Sequence, residues 1–220
     1  MDKFQHLVIL SGGLDSSTIL AKVIEENDGK GVNAIHFYYG QRHQREKQAA
    51  KKIAEFYKIP LHHLDLSNIF SSLKGNALTD IDEVEIPEGH YTDPSMRLTV
   101  VPFRNLMFLS SGAAFAASVG ASTLYIGVHA GDHAIYPDCR PEFIQAARKV
   151  LRLGHYDAIS LKTPFLNDTK TGIVKAGIRL RVPYELTWTC YQGESLPCGK
   201  CGACVERSEA FSDNGAVDPL

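Results

Sequence analysis

The chain has 220 residues, 44% of them hydrophobic, enough to bury a full core without disulfides and a length that suits one large domain better than two. Its formal net charge is -2 with both signs scattered along the chain, which argues against the sustained positive field of a dedicated nucleic-acid binder. Met1-Asp2-Lys3-Phe4 lacks a basic segment followed by an apolar signal core, and no uninterrupted apolar run is long enough to cross a bilayer, so a cytoplasmic protein with no membrane partner is expected.

The first element is a strand over Phe4 to Leu10, whose unbroken apolar character suits burial on both faces. Ser11-Gly12-Gly13 interrupts it. A helix from Asp15 to about Asn27 follows, with Ile19, Leu20, Val23 and Ile24 at helical spacing and Asp28-Gly29 as its stop. The pattern repeats with a strand at Val32 to Phe37, a helix from Gln41 to about Lys58 and a strand at Leu61 to Leu66. Residues 67–98 scatter Ser67-Asn68, Gly75-Asn76, Pro87-Glu88-Gly89 and Asp93-Pro94 through an acidic, weakly periodic stretch, which reads as a mobile insertion. Order returns with a helix from Arg104 to about Val119, a strand at Thr123 to Val128 and a helix from Pro141 to Leu153. Last come a strand at Ile159 to Lys162, a helix near Lys170 to Ala176, a cysteine-rich segment over 188–220 and a short helix after Cys204. Strands alternating with helices predict an open parallel sheet with helices on both faces, a single α/β domain of the Rossmann type over residues 1–220.

In such a sheet, ligands sit beyond the carboxyl ends of the strands, where a loop leading into a helix offers backbone N–H groups and the positive end of the helix dipole. Gly12 and Gly13 leave room for an anion, Ser11, Ser16, Ser17 and Thr18 add hydroxyls, and Asp15 makes sense beside phosphates as a holder of Mg²⁺. Leu10, Leu14, Ile19 and Leu20 complete the expected nucleotide-binding stretch 10–20. The bland alternative is a tight turn with a capping Ser or Asp. Neither a Walker A sequence nor a dinucleotide fingerprint is present.

Four of the five cysteines, Cys190, Cys198, Cys201 and Cys204, stand as C-x7-C-x2-C-x2-C with glycines between them. In a reducing compartment that spacing predicts one structural Zn²⁺ with all four positions filled by thiolates. A [4Fe–4S] cluster and free thiols are the rivals. Cys139 stands apart and reads as a packed thiol.

Ser-Gly-Gly-x-Asp-Ser resembles the loop of the pyrophosphate-loop ATP pyrophosphatases, and residues 11–16 match it in full. Tyr39-Gly40-Gln41-Arg42-His43, Val101-Pro102-Phe103-Arg104-Asn105, Tyr136-Pro137-Asp138-Cys139-Arg140 and Cys190-Tyr191 with the cysteine knot extend the likeness over nearly the whole chain to the 7-cyano-7-deazaguanine (preQ0) synthase family. The resemblance implies ATP, Mg²⁺, ammonia and 7-carboxy-7-deazaguanine as reactants, AMP and pyrophosphate as products, and a homodimer. It implies Asp15, Lys170 and Arg104 in catalysis. For the base pocket, candidates are Asn105, Asp132, His133, Tyr136, Asp138 and Arg140, with Arg104 or Arg140 pairing a carboxylate or phosphate. For each of these a buried salt bridge or helix cap is the plain alternative, and for Lys170 a solvated helix lysine. His43 and His133 are candidates for proton transfer.

Three departures from the family stand out. Phe103 replaces a glycine, His129-Ala130-Gly131-Asp132 replaces Cys-Glu-Thr-Asp, and the first cysteine gap is one residue shorter than in many members. They touch the base pocket rather than the phosphate loop, and leave a specialised relative in DNA modification or antiviral defence, or a tRNA-thiolating pyrophosphate-loop enzyme, as alternatives.

Overall fold

His6–Ile9 forms β1 at the centre of a five-stranded sheet, and Leu7, Val8 and Ile9 are buried because helices cover both faces. The computed structural model describes residues 4–80, 82–91 and 93–220. Met1 to Lys3, on which the reading of the N-terminus partly rests, and Ile81 and Thr92 of the irregular stretch lie outside the described residues.

The remaining elements in chain order are α1 (Leu14–Asn27), β2 (Val32–Tyr38), α2 (Arg45–Tyr57), β3 (Leu61–Asp65), α3 (Ser67–Phe70), α4 (Arg104–Ser118), β4 (Thr123–Tyr125), α5 (Pro141–Leu153), β5 (Ser160–Lys162), α6 (Lys170–Arg179) and α7 (Gly202–Asp213). All strand pairs are parallel, in the order β3-β2-β1-β4-β5. On one face Leu7, Ile9, Ile35 and Phe37 pack with Leu109 and Ala116 of α4 and Ile144, Ala147 and Leu151 of α5. On the other, Val8, Leu10 and Ala34 pack with apolar residues of α1, α2, α6 and α7.

The strands and helices expected from hydrophobic periodicity are all present, and the differences lie at their ends. α2 starts at Arg45 rather than Gln41, because Gly40 takes a left-handed turn (φ 81°) and the Gln41 side chain accepts a hydrogen bond from the Tyr39 N–H (2.9 Å). β4 ends at Tyr125, three residues before Val128. α7 starts ahead of Cys204 and runs for 12 residues, longer than the short terminal helix expected. Segment 67–98 has little regular structure but is anchored: Phe70, Ala77 and Met96 are fully buried, and Arg42 donates hydrogen bonds to the Ala77 and Val84 carbonyls. α4 has 15 residues, about 22 Å of helix, against a bilayer core of about 30 Å.

Gly12 takes the backbone from β1 toward α1 at φ +88°, and a Cβ there would lie 2.5 Å from both Ala50 N and Glu46 O, in the backbone of α2. A helix backbone cannot yield as a side-chain tip can. Gly12→Ala is therefore expected to combine left-handed strain with overpacking and cost about 2–4 kcal/mol. Thermal unfolding checks this, and an unchanged midpoint would contradict the close approach of loop and helix.

Candidate functional site

The chain runs outward from β1 to β2 and β3, then returns past β1 to β4, so the topological switch point lies between β1 and β4. A cavity opens there, its wall containing Ile9 and Leu10 from the end of β1, Ile126 and Gly127 beyond β4, and Ser11, Gly13, Leu14, Asp15 and Ser16 from the loop. The rest of the 10–20 stretch supports the loop from behind. Ser17, Thr18, Ile19 and Leu20 are buried, and the Thr18 hydroxyl bonds the Leu14 carbonyl (2.8 Å) and the Tyr184 hydroxyl (2.9 Å). Ser11 and Ser16 join through their hydroxyls at 2.9 Å, while the Gly13 N–H donates to Ser11 Oγ at 3.1 Å.

Four carboxyl groups reach this cavity, and two of them hold one cation. Lys170 Nζ lies 2.6 Å from Asp15 Oδ2 and 3.2 Å from Glu206 Oε2, with its side chain only 12% exposed. Burial opposes its charge, but Asp15, Glu206 and Asp132 hold its pKa well above the usual lysine range. Burial also works against the Asp15 carboxylate, yet Lys170 and His129 keep its pKa below the ordinary value. His129 is buried, its Nδ1 accepts a hydrogen bond from the Gly131 N–H (3.1 Å), and its Nε2 lies 3.5 Å from Asp132 Oδ2 and 3.9 Å from Asp15 Oδ2. Burial pushes its pKa down to about 3, so the ring is neutral. Asp132, buried among like charges, is pushed up to about 7. Asp15 Oδ1 has no hydrogen-bond partner.

Arg104 opens α4 on the same cavity, directly after Phe103, an exposed residue held in left-handed backbone (φ 53°). That conformation is one a glycine would adopt without strain. The guanidinium lies over the Tyr136 ring (5.9 Å) in the field of Tyr39, Tyr136, Asp138 and Tyr191, which outweighs its burial and raises its pKa. Tyr136, Tyr191 and Tyr91 form a hydroxyl chain, with Oη–Oη separations of 3.4 Å and 2.5 Å. Asn105 and Tyr136 line the cavity beside Arg104, whereas His133, Asp138 and Arg140 are absent from its wall. Asp138 instead accepts from the Asn105 backbone N–H (2.9 Å) and Nδ2 (3.3 Å), fixing the start of α4, and Arg140 donates to the His133 carbonyl (2.8 Å). His43 also stays off the wall, with Nε2 3.1 Å from the Cys190 carbonyl. Cys139 is packed, with Asn105 Nδ2 3.2 Å from its sulfur.

Periodicity did not single out Glu46, Tyr91, Trp188, Tyr191 or Glu206, which also line the cavity. Glu46 and Glu206 sit on ordinary polar helix faces, and Tyr91 lies in the irregular segment. Tyr191, adjacent to Cys190, was visible only as part of a motif.

The sulfur atoms of Cys190, Cys198, Cys201 and Cys204 lie within 4.8 Å of one another, and three of these residues are buried. Four thiolates about 2.3 Å from a tetrahedral ion would lie about 3.8 Å apart, so the group fits one metal of this kind. The Cys198 and Cys201 N–H groups each lie 3.3 Å from a neighbouring sulfur, in donor geometry that favours thiolates. The segment also braces the site, since the Trp188 N–H donates to the Gly12 carbonyl (2.9 Å).

His36, 1% exposed on β2, has Nδ1 3.0 Å from the Leu10 carbonyl, and burial pushes its pKa down to about 4 from 6.5. The unfolded chain takes the proton first, so the stability tied to the neutral ring is present above pH 6.5 and lost as pH falls toward 4. His36→Asn is expected to flatten that acid limb by up to about 3 kcal/mol. Urea unfolding at pH 4.5 and pH 7 measures it, and an equal difference in both proteins would count against His36.

A parallel sheet carrying Ser-Gly-Gly-Leu-Asp-Ser at its switch point, backed by a half-buried Lys–carboxylate cluster, defines an α/β protein with a loop of the pyrophosphate-loop type. The family model described as "Queuosine biosynthesis protein QueC" matches residues 5–215, and the chain belongs to that family. Among its relatives, 7-cyano-7-deazaguanine synthase of Alteromonas mediterranea is 47% identical over 214 residues, covering 97% of this chain and 96% of the relative. The protein of the same name from Caldicellulosiruptor bescii is also 47% identical, covering 97% and 95%. A solved NH3-dependent NAD synthetase from Campylobacter jejuni aligns at TM-score 0.49 and 13% identity over 84% of this chain and 68% of that one.

Proposed function

We propose that this chain is an ATP-dependent ligase that converts 7-carboxy-7-deazaguanine and ammonia into 7-cyano-7-deazaguanine for queuosine biosynthesis. The observation that carries the reading is the convergence of the loop 11–16, the Asp15–Lys170–Glu206 cluster and Arg104 on one cavity, in a chain of the QueC family.

A carboxylate is a poor electrophile because oxide is a hopeless leaving group. One carboxylate oxygen therefore attacks the α-phosphorus of ATP and pyrophosphate departs. Ammonia adds to the acyl carbon of the mixed anhydride, AMP leaves, and a proton is released to give the amide. In a second round the amide oxygen attacks the α-phosphorus of another ATP, a second pyrophosphate departs, and loss of AMP with two protons leaves the nitrile. The loop N–H groups and hydroxyls receive the departing pyrophosphate, and Lys170 neutralises charge developing beside it. Arg104 pairs the substrate carboxylate, a role for which Arg140, turned to the His133 carbonyl, is less well placed. A Mg²⁺ ion accompanying ATP would be held by Asp15, whose Oδ1 is free of hydrogen bonds, and would supply further charge neutralisation at the phosphates. Zinc is the metal proposed for the four cysteines, in a structural role. A second copy of the chain is the proposed partner, met through the small-residue and apolar groove of Ala113, Ala117 and Val150 on α4 and α5.

The deciding experiment is incubation with ATP, Mg²⁺, ammonium and 7-carboxy-7-deazaguanine, followed by mass spectrometry of the base. Formation of the nitrile with two AMP per turnover is expected. AMP formation only on another acceptor, with no nitrile, would reject the proposal.

A further inference from the structure

Glu46 is the cavity carboxylate that stands away from Lys170. It projects from the first turn of α2, is half-buried, and lines the same wall as Tyr39, Arg104 and Trp188. Gln41 Nε2 donates to its Oε2 at 3.3 Å, and no ion pair among the described residues includes it. The other three carboxyl groups are committed elsewhere. Asp15 and Glu206 hold Lys170, and Asp132 sits by His129 in the field of that cation. Asp138 holds the start of α4 off the cavity wall.

Burial raises the Glu46 pKa, while the fields of His43 and Arg104 with the Gln41 hydrogen bond favour its charged form. No cation among the described residues stands in salt-bridge contact, so as a carboxylate it repels both a phosphate and a substrate carboxylate brought directly against it. The ligand surface brought against it must supply N–H donors. A 2-amino-4-oxopyrimidine ring presents two such donors side by side, the ring N–H and the exocyclic amine, in the spacing that both oxygens of one carboxylate accept. Gln41 fixes one of those oxygens, and Tyr39 and Trp188 supply aromatic surface beside it. We propose that Glu46 reads the amine-bearing edge of the substrate base, setting specificity for a 2-amino-4-oxopyrimidine over bases that lack the amine. This assignment rests on the proposed reaction and names the residue that orients its substrate.

The test uses full-length protein and Glu46→Gln, with 7-carboxy-7-deazaguanine and its analogue lacking the exocyclic amine. Each is titrated calorimetrically in the presence of a non-cleavable ATP analogue, whose own affinity is measured separately. Wild type should prefer the amine-bearing base by at least about 10-fold. Glu46→Gln should bind that base at least about 10-fold more weakly, lose the preference, and hold the ATP analogue within about 2-fold of wild type. Persistence of the preference in the variant would overturn the assignment. So would weakened ATP-analogue binding with base binding intact, the result expected of a carboxylate that holds the ribose hydroxyls. If Glu46→Gln fails to fold, Glu46→Asp, which keeps the charge and withdraws it by one methylene, reports on the same preference. Wild-type protein that binds the ATP analogue but neither base would instead reject the proposed reaction, and this assignment with it.

Discussion

Asp15→Asn is expected to yield a folded, metal-loaded protein whose rate of AMP formation is lower by at least about 100-fold. The substitution preserves side-chain shape and removes the charge from the carboxylate closest to Lys170, 2.6 Å away. Removing one partner of a buried ion pair commonly costs 3–5 kcal/mol, because the survivor is left uncompensated. Here Lys170 keeps Glu206 at 3.2 Å, so the expected loss lies below that range and the thermal midpoint falls by only a few degrees. The rate is not protected in the same way. In the proposed reaction, charge builds at the phosphates beside the loop, and loss of one preorganised group at such a place costs on the order of 10²–10³. The checks are AMP release and thermal unfolding on the same preparation. Wild-type turnover would remove Asp15 from the chemistry, whereas an unfolded variant would show that Glu206 alone does not hold Lys170.

The fold was legible because its signals are local. Apolar runs at the strands, helical spacing in α1 and the Ser-Gly-Gly-x-Asp-Ser loop each act within about a dozen residues, and strands alternating with helices call for a parallel sheet, whereas the order β3-β2-β1-β4-β5 has no local signal. The cysteine spacing anticipated a four-sulfur cluster for a similar reason, since Cys198, Cys201 and Cys204 are adjacent turns of one segment. The cavity wall was only partly legible because it is assembled across long separations. Lys170 meets Asp15 across 155 residues, and Tyr91 meets Tyr191 across 100. Motif likeness led to Asp138 and Arg140, but adjacency in a motif does not set which way a side chain turns. Asp138 turns to the first residues of α4, and Arg140 to the His133 carbonyl. Glu46 and Glu206 have no local signal at all, because a helix face that borders a cavity reads in sequence like one that borders water.

Cys201→Ser should lose most of its bound metal and lower the thermal midpoint by about 10 °C. At roughly 2–4 °C per kcal/mol for a chain of this size, that shift corresponds to about 3–5 kcal/mol. Metal binding by thiolates that are close together only in the folded chain is folding free energy, and a serine hydroxyl in place of one thiolate forfeits most of it. The consequence should reach beyond the knot. Its N-terminal approach bonds the loop 11–16 through the Trp188 N–H and the Gly12 carbonyl, while Tyr191, Ala203 and Glu206 form part of the cavity wall. Arg207 ties the following turn to Thr187, Thr189 and Asp218. Loosening this segment should withdraw Glu206 from Lys170 and slacken the loop together, so ATP affinity should fall along with stability. Chelation of the wild type should reproduce both effects, and zinc restored to the chelated protein should reverse them. Metal assay, unfolding curves and nucleotide titration separate the possible results. Loss of metal without loss of stability would defeat the structural role, and a brown protein with iron and sulfide would replace zinc by a cluster. A destabilised variant with unchanged ATP affinity would show that the loop is held without the knot.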